Sequence, residues 1–178
     1  MDGSKIVVSV MSSIELKQLS EWSGGRAKVF RAMPNTATGI AQSITCISHP
    51  RGKSEGFDLV TALFEQLGRT VQIEESLMEA ATVLGACGIA YVMRFIRAMV
   101  QGGIQIGFDS QTASLIANQT VKGAAELLLQ GGRHPEEEID KVTTPKGCTI
   151  VGLNEMEHQG FSSALIRGIV ASYTKIEK

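Results

Sequence analysis

The spacing of the apolar residues changes near residue 74, and this change most constrains the fold. Before it, short β-branched runs alternate with segments of helical period. After it, almost every segment has the helical period and is rich in Ala, Leu, Ile and Met. Alternation of strands and helices is typical of an α/β layer, whereas a series of helices predicts an all-α part. We therefore expect an α/β part over residues 1–73 and a helical part over residues 74–178.

Four apolar runs in the first part predict strands: KIVVSV, AKVFRAM, SITCISH and TVQIEE. The first has the composition of a buried strand in a parallel sheet, and the last that of an edge strand. Pro34 ends the second strand, because proline cannot donate to a ladder. Two helices are expected between the strands, one with Ser13 as its N-cap and one ending at Gly68.

The helical part is predicted to hold two long helices and three shorter ones. Asp109 is expected to cap the second long helix, Gly131 or Gly132 to end it, and Pro135 to begin the next one. The segment GIAYVMRFIRAMV is apolar on more than one side, so it needs cover from a larger core or from a partner subunit. We favour an intertwined dimer, with a compact monomeric bundle as the alternative.

Composition excludes several functional classes. A net charge of −1 with interspersed acids and bases provides no basic face, so we expect no nucleic-acid partner. The histidines and the three cysteines match no metal-ligand spacing, which argues against a metal site. The run KIVVSVM is too short for a membrane span, and no targeting segment precedes it. These features predict a cytoplasmic protein without membrane contact, in a reducing compartment.

The loop VTTPKGCT is the first candidate site. A helix is predicted to begin at Thr149, so the loop before it presents free N–H groups at the positive end of a dipole, which favours an anion. Gly147 permits close approach, and Thr143, Thr144 and Thr149 add hydroxyl groups. Because no G-x-x-x-x-G-K-[ST] pattern is present, a carboxylate is favoured over a triphosphate. The alternative is an ordinary Thr-capped helix start.

The segment FRAMPNTATG is the second candidate site. It lies at the carboxyl end of a predicted strand, where open α/β sheets bind their ligands. The Asn35 amide and the backbone of the Pro-Asn turn are expected to face a flat polar ring. The alternative is a turn that only ends the strand.

Both candidate segments, in this order, resemble motifs of the pyrroline-5-carboxylate reductases. VFRAMPNTATGIAQSIT is similar to the family's R-x-M-P-N-T-P segment, and LGACGIAYVMRFIRAMVQGGIQIGF resembles its S-G-S-G-P-A-Y helix and the glycine pattern that follows. QTVKGAAELLLQGGRHPEEEIDKVTTPKGCTIVGLNEMEHQGFSSALI is similar to the block that contains V-T-S-P-G-G-T-T. The resemblance runs nearly end to end, with Lys146 at a family glycine and Cys148 where Thr or Ala is usual.

The resemblance implies a reductase that uses NADPH or NADH to convert 1-pyrroline-5-carboxylate to L-proline, the last step of proline biosynthesis. It implies a partial Rossmann-type parallel sheet over residues 1–73 and an interlocking dimerisation and substrate-binding domain over 74–178, in a homodimer or higher homo-oligomer. Thr144, Gly147, Cys148 and Thr149 would hold the substrate carboxylate. The Thr149 hydroxyl would lie near the imine nitrogen as the catalytic group. Met33, Pro34 and Asn35 would line the nicotinamide.

The resemblance also implies that a segment is missing from this chain. Family members begin with a strand, a G-x-G-x-x-G turn and a helix that hold the cofactor pyrophosphate, and about 80 such residues have no counterpart here. Two functions follow: an enzyme completed by sequence not present, or a non-catalytic dimerisation module able to bind proline. The motif VTTPKGCT argues against a third possibility, another dehydrogenase with the same two-domain plan.

Overall fold

The structure, a computed structural model, describes residues 5–50 and 55–176. Its first part alternates strands and helices: β1 Ile6–Ser9, α1 Leu16–Trp22, β2 Lys28–Met33, β3 Ser43–Ser48, α2 Phe57–Glu65 and β4 Gly68–Gln72. The chain forms two compact units. The first contains the described residues up to Ile89 together with those from Ile169 onward, and the second is Ala90–Gly168.

The four strands form one sheet in the order β1-β2-β3-β4. The predicted α/β layer is confirmed, and β4 lies at an edge of the described sheet. The sheet is not wholly parallel, because β2 and β3 pair antiparallel, with Arg31 opposite Ser48. A parallel pair needs a crossover of a dozen or more residues. Helices α1 and α2 supply crossovers for the two parallel pairs, whereas β2 and β3 are joined by nine residues that contain only the 3-10 turn Thr36–Ile40.

Each face of the sheet is covered by one helix, because successive side chains of a strand point to opposite faces. One face packs against α1 in a cluster of Leu16, Leu19 and Val29 with Val7 and Ile14. The other packs against α2 in a cluster of Phe30, Ala32, Ile47, Val60 and Phe64. Burying one such side chain contributes about 1.5–3 kcal/mol.

Two predicted helix ends in this part are wrong. Helix α1 begins at Leu16 rather than after Ser13, and the Gln18 side-chain oxygen accepts a hydrogen bond from the Glu15 N–H at 2.9 Å. Helix α2 ends at Glu65, and Gly68 is instead the first residue of β4, with φ +140°. A Cβ at Gly68 would lie 2.1 Å from the Ser43 carbonyl oxygen, so glycine is needed there for strand pairing.

The helical part begins with one continuous helical segment, made of the 3-10 turn Glu75–Leu77, α3 Met78–Ala81, a π-helical turn Thr82–Cys87 and α4 Gly88–Gln105. It continues with α5 Ser110–Gly131, α6 Pro135–Val142, α7 Cys148–His158 and α8 Phe161–Ile176. The last two residues predicted for the final helix lie outside the described residues. The Asp109 cap is confirmed: its Oδ1 accepts from the N–H groups of Gln111 and Thr112 at 3.0 Å. Gly132, with φ +61°, ends α5.

The segment Glu75–Gln105 has, by length and composition alone, the properties of a membrane span. A span needs about 20 consecutive apolar residues, but only 14 uncharged residues separate Glu79 from Arg94. Both Glu75 and Glu79 also form ion pairs with Arg31 of β2, at 3.3 and 3.4 Å. These charges favour cover by protein over cover by lipid.

Candidate functional site

The loop between α6 and α7 is a tight turn. The Gly147 N–H donates to the Thr144 carbonyl oxygen at 2.9 Å, and Lys146 has φ +59°. Proline at the second position and a positive φ at the third are the pattern of a type II turn, whose third position favours glycine. For a residue with a Cβ, this left-handed backbone conformation costs roughly 1–2 kcal/mol. Lys146 therefore bears strain that a glycine would avoid.

Gly147 lies where the loop enters α7, and the turn closes tightly around it. A Cβ there would lie 2.4 Å from the Thr144 Oγ1 and 3.0 Å from the Thr144 carbonyl oxygen. Its N–H closes the turn, so in this conformation it does not serve as the predicted anion donor. No side chain among the described residues caps α7. The N–H groups that lead this helix, from Cys148 and Thr149, therefore remain for an anion.

The side chains of the loop differ in exposure. Thr144 and Cys148 are exposed, whereas Thr149 is half-buried in the first turn of α7. Upstream, the Thr143 hydroxyl donates to the Ile139 carbonyl oxygen at 2.8 Å and so closes the end of α6. Thr144 thus lies just before the helix start and Thr149 in its first turn, so two hydroxyl-bearing residues are close to this end of α7.

The end of β2 carries the second candidate site. Met33 is 8% exposed, so its side chain belongs to the core, and Pro34 is half-buried at the strand end. The Asn35 amide is already bonded: Oδ1 accepts from the Ala37 N–H at 3.0 Å, and Nδ2 donates to the Gly85 carbonyl oxygen at 3.1 Å. The Asn35 amide is therefore already bonded within the chain through both of its polar atoms. Pro34 is the predicted residue that borders this edge.

The two candidate sites belong to different units. Residues 33–35 are part of the first unit, and residues 144–149 are part of the second. The cofactor and substrate roles of these residues stay predictions.

A buried ionic cluster surrounds Arg31, and it was not predicted from the sequence. Arg31 is 2% exposed, and its Nη2 donates to the Ser12 carbonyl oxygen at 2.6 Å in addition to its pairs with Glu75 and Glu79. Glu75 Oε1 also accepts from the Leu16 N–H at 2.6 Å. The available signal was an arginine inside a strand predicted to be buried, since such a charge requires partners.

One partly buried thiol and the groups that could bind a metal complete the description of the reactive side chains. Burial raises the pKa of the Cys46 thiol, which lies opposite Met33 in the β2–β3 pair, so this thiol is neutral at pH 7. Among the described residues, His, Cys, Asp and Glu form no group of three or more able to hold a metal ion.

The helical part decides the family. A family model described as pyrroline-5-carboxylate reductase dimerisation matches residues 75–178. The chain belongs to the pyrroline-5-carboxylate reductase family. The resemblance noted in the sequence and the predicted α/β and helical fold are thereby confirmed.

Relatives in this family match nearly all of the chain. Pyrroline-5-carboxylate reductase 1 of Dictyostelium discoideum is 46% identical over 96% of this chain and 33% of the relative. The Glycine max pyrroline-5-carboxylate reductase is 37% identical over 94% of this chain and 61% of the relative. The chain thus spans from one third to just under two thirds of the curated relatives it matches.

Solved structures of the family have the same fold. The Plasmodium falciparum pyrroline carboxylate reductase, solved with NADP bound, has a TM-score of 0.88 and 26% identity, over 97% of this chain and 70% of that one. The Streptococcus pyogenes 1-pyrroline-5-carboxylate reductase has a TM-score of 0.86 and 28% identity, over 96% and 66%. The backbone fold of this chain is therefore similar to that of these solved reductases over nearly its whole length.

Proposed function

We propose that this chain acts in the NADPH- or NADH-dependent reduction of 1-pyrroline-5-carboxylate to L-proline, an oxidoreductase reaction on a ring C=N bond. The observation that carries the proposal is the turn before α7, which leaves an uncapped helix start flanked by two threonines at the position of the family's substrate motif. Family membership supports it. The same evidence supports residues 1–73 as the C-terminal part of a dinucleotide-binding domain and 74–178 as the dimerisation and substrate-binding domain.

The substrate carboxylate is assigned to the start of α7. The Cys148 and Thr149 N–H groups donate to it, and the Thr144 hydroxyl adds a third donor. Gly147 contributes by its missing side chain, which keeps the turn close. A carboxylate at a helix N-terminus gains about 0.3–1 kcal/mol from the helix dipole at an exposed site, in addition to its hydrogen bonds.

The carboxyl ends of β1 and β2 fit the nicotinamide half of the cofactor. These strands are parallel, so their ends meet at one edge, where Val10 and Met11 are exposed and Pro34 is half-buried. This apolar edge suits the face of a flat ring, while Met33 and Asn35 support it from within. When bound, the cofactor supplies the hydride. The sequence contains no G-x-G-x-x-G turn, so no residue here is assigned to the pyrophosphate.

Thr149 is the proposed catalytic residue. Hydride addition to C=N places negative charge on nitrogen unless that nitrogen is already protonated, so a hydrogen-bond donor there lowers the barrier. A hydroxyl is a weak acid, and we therefore assign Thr149 the role of orienting the imine nitrogen or relaying a proton. The position of Thr149 in the first turn of α7 supports this assignment.

The assembly proposed is a homodimer or higher homo-oligomer in the cytoplasm. The dimerisation family model and the exposed apolar helix faces support self-association. A net charge of −1 favours a small-molecule partner over nucleic acid, and the charges that border the segment 80–93 argue against a membrane partner.

The test is oxidation of NADPH and NADH with 1-pyrroline-5-carboxylate. It compares this chain with the same chain joined to an upstream segment that carries a G-x-G-x-x-G turn. Activity is expected in the joined protein. Absence of activity in both the chain and the joined protein would contradict the enzyme proposal. Thr149→Val should lower kcat by about 10- to 100-fold, and Thr144→Val should mainly raise KM for the substrate. Thr120→Val, at an exposed position of α5, is the matched control.

A second candidate is a non-catalytic dimerisation module that binds proline. The observation that favours it is that the open helix start and the apolar faces of the second unit need no cofactor segment. Calorimetric binding of L-proline by the chain, lost in Thr144→Val, together with no turnover in the joined protein, would support this candidate.

A further inference from the structure

Asn35 forms hydrogen bonds with three segments, two of them close in sequence and one fifty residues away. Its backbone N–H donates to the Ser43 Oγ at 3.1 Å, at the start of β3. Its Oδ1 caps the 3-10 turn Thr36–Ile40 through the Ala37 N–H. Its Nδ2 donates to the Gly85 carbonyl oxygen, fifty residues further along the chain, inside the π-helical turn Thr82–Cys87. The Asn35 carbonyl oxygen accepts from the Thr38 N–H at 3.2 Å, so all four polar groups of this residue are used inside the first unit.

The bond to Gly85 lies at the point where the helical segment departs from α geometry. Helices depart from the regular ladder where a side chain inserts into it or where a π turn occurs, and π turns are frequent at functional sites. The Gly85 carbonyl oxygen has a second lone pair, which accepts the Asn35 amide in addition to any helical bond. The side-chain amide therefore connects this turn to Asn35, the residue that directly follows Pro34.

A second set of bonds holds the same two segments together. Arg31, four residues before Asn35 in the chain, pairs with Glu75 and Glu79, one helical turn or more before Gly85. With the strand held at Arg31, the Asn35 bond determines how the π-helical turn lies against the strand end. The Arg31 ion pairs attach the helical segment to β2, and the Asn35 hydrogen bond determines which turn of that segment lies at the strand end.

We propose that Asn35 is a positioning residue, whose side-chain amide fixes the π-helical turn Thr82–Cys87 against the carboxyl end of β2. In the proposed reaction it acts through Pro34, which it holds at the nicotinamide edge, and it makes no contact with the ring. This last step rests on the proposed function, whereas the Asn35–Gly85 bridge does not.

The variants separate the bridge from the cap. Asn35→Ser and Asn35→Asp keep an oxygen able to cap the 3-10 turn, because both residues are good N-caps. Neither supplies the Nδ2 donor that reaches Gly85. Gly85→Ala keeps the carbonyl group, and its Cβ would meet Ile44 Cγ2 at 3.7 Å, an ordinary contact. Gly85→Ala is therefore the matched control.

The first measurement is peptide-resolved amide hydrogen exchange of the cofactor-free chain. Residues 82–90 should exchange about tenfold faster in Asn35→Ser and Asn35→Asp, since one net hydrogen bond is lost, and no faster in Gly85→Ala. An unchanged rate in this segment would overturn the proposal. A uniform rise that includes β1–β4 would also overturn it, because it would show only general loss of stability.

Two further readouts complete the test. In the unaltered protein, NMR should show slowly exchanging Asn35 side-chain amide protons, and rapid exchange would overturn the bridge without any substitution. In the joined, active protein, Asn35→Ser should lower kcat by about tenfold and leave the cofactor KM within about twofold, as expected for lost orientation. A rise in cofactor KM with kcat unchanged would indicate direct contact and overturn the positioning role. Local exchange changes with no turnover in any protein would leave the bridge standing and remove the proposed function.

Discussion

The first unit forms a buried apolar cluster on each face of its sheet, whereas the described residues of the second unit form one small buried cluster. In the first, α1 and α2 lie on opposite faces of the sheet, and both faces are buried. In the second, the described buried core consists of Val100, Ala113 and Ala117 on α4 and α5, while side chains such as Leu115, 70% exposed, face outward. A sheet offers two broad faces to a few helices, whereas helices that are apolar all round need further helices from elsewhere. The comparison indicates where self-association is needed.

The largest effect is expected from the core of the first unit. Phe30 is 1% exposed, so Phe30→Ala should lower the free energy of unfolding by about 3–5 kcal/mol through lost burial and a cavity. Phe108→Ala, at an exposed site of the second unit, should cost far less in a dissociated chain. Denaturant titrations at several protein concentrations check this. A cost for Phe30→Ala that depends on protein concentration would break the comparison.

The ionic cluster should be the next most sensitive feature of the first unit. Arg31→Met leaves Glu75 and Glu79 without their cation and should cost about 3 kcal/mol, at the lower limit for a buried pair because both carboxylates are about one-third exposed. Lys28→Met removes a more exposed pair with Glu55 and should change stability by less than about 1 kcal/mol. Equal effects of the two substitutions on the unfolding midpoint would argue against a structural role for the cluster.

The second unit should respond through assembly. Leu115→Lys places a charge on an apolar face that a second copy would cover, and should weaken self-association by about 30-fold, or roughly 2 kcal/mol. Leu59→Lys, at a similarly exposed site of α2 in the first unit, is the control. Sedimentation velocity over a dilution series gives the result. Unchanged association in Leu115→Lys would exclude this face from the interface.

A smaller and opposite effect is expected at the substrate loop. Lys146→Gly relieves the positive φ and should stabilise the chain by up to about 1 kcal/mol, after subtraction of the entropy that glycine adds to the unfolded state. Lys122→Gly, inside α5, should instead cost about 1 kcal/mol. Thermal unfolding distinguishes the two signs, and destabilisation by Lys146→Gly would show that the turn bears no strain.

The smallest effect concerns the cap of α5. Hydrogen bonds from the Thr112 side chain and backbone, followed by that from Gln111, hold the pKa of Asp109 below its ordinary value. A carboxyl whose pKa is depressed on folding stabilises the fold above its unfolded pKa, about 3.9, and this contribution is lost as pH falls through the folded pKa. Wild type should therefore exceed Asp109→Asn slightly in unfolding midpoint near pH 6, and the difference should vanish in acid. A constant difference would contradict the titration.

Local signals predicted most of the elements, and they failed where a distant residue decides. Pro34 ends β2, Asp109 caps α5 and Gly132 ends it, as expected from neighbouring residues alone. Gly68 has the same local signal as the end of a helix. Its conformation is instead set by close contact with the backbone of Ser43, twenty-five residues earlier. The loop before α7 was found by its composition. The hydrogen bond from the Gly147 N–H to the Thr144 carbonyl oxygen depends on the turn geometry, and composition did not predict it.

The sequence by itself determined the family and the order of an α/β layer followed by helices, and it indicated both candidate segments, because period, turn residues and ordered motifs are local properties of the chain. The tertiary structure alone decided the partners of Arg31 and the bridge from Asn35 to Gly85. These features depend on which groups meet after chain segments of tens of residues close on one another. Hydrogen-bond partners at such separations follow from packing, and no local pattern encodes them.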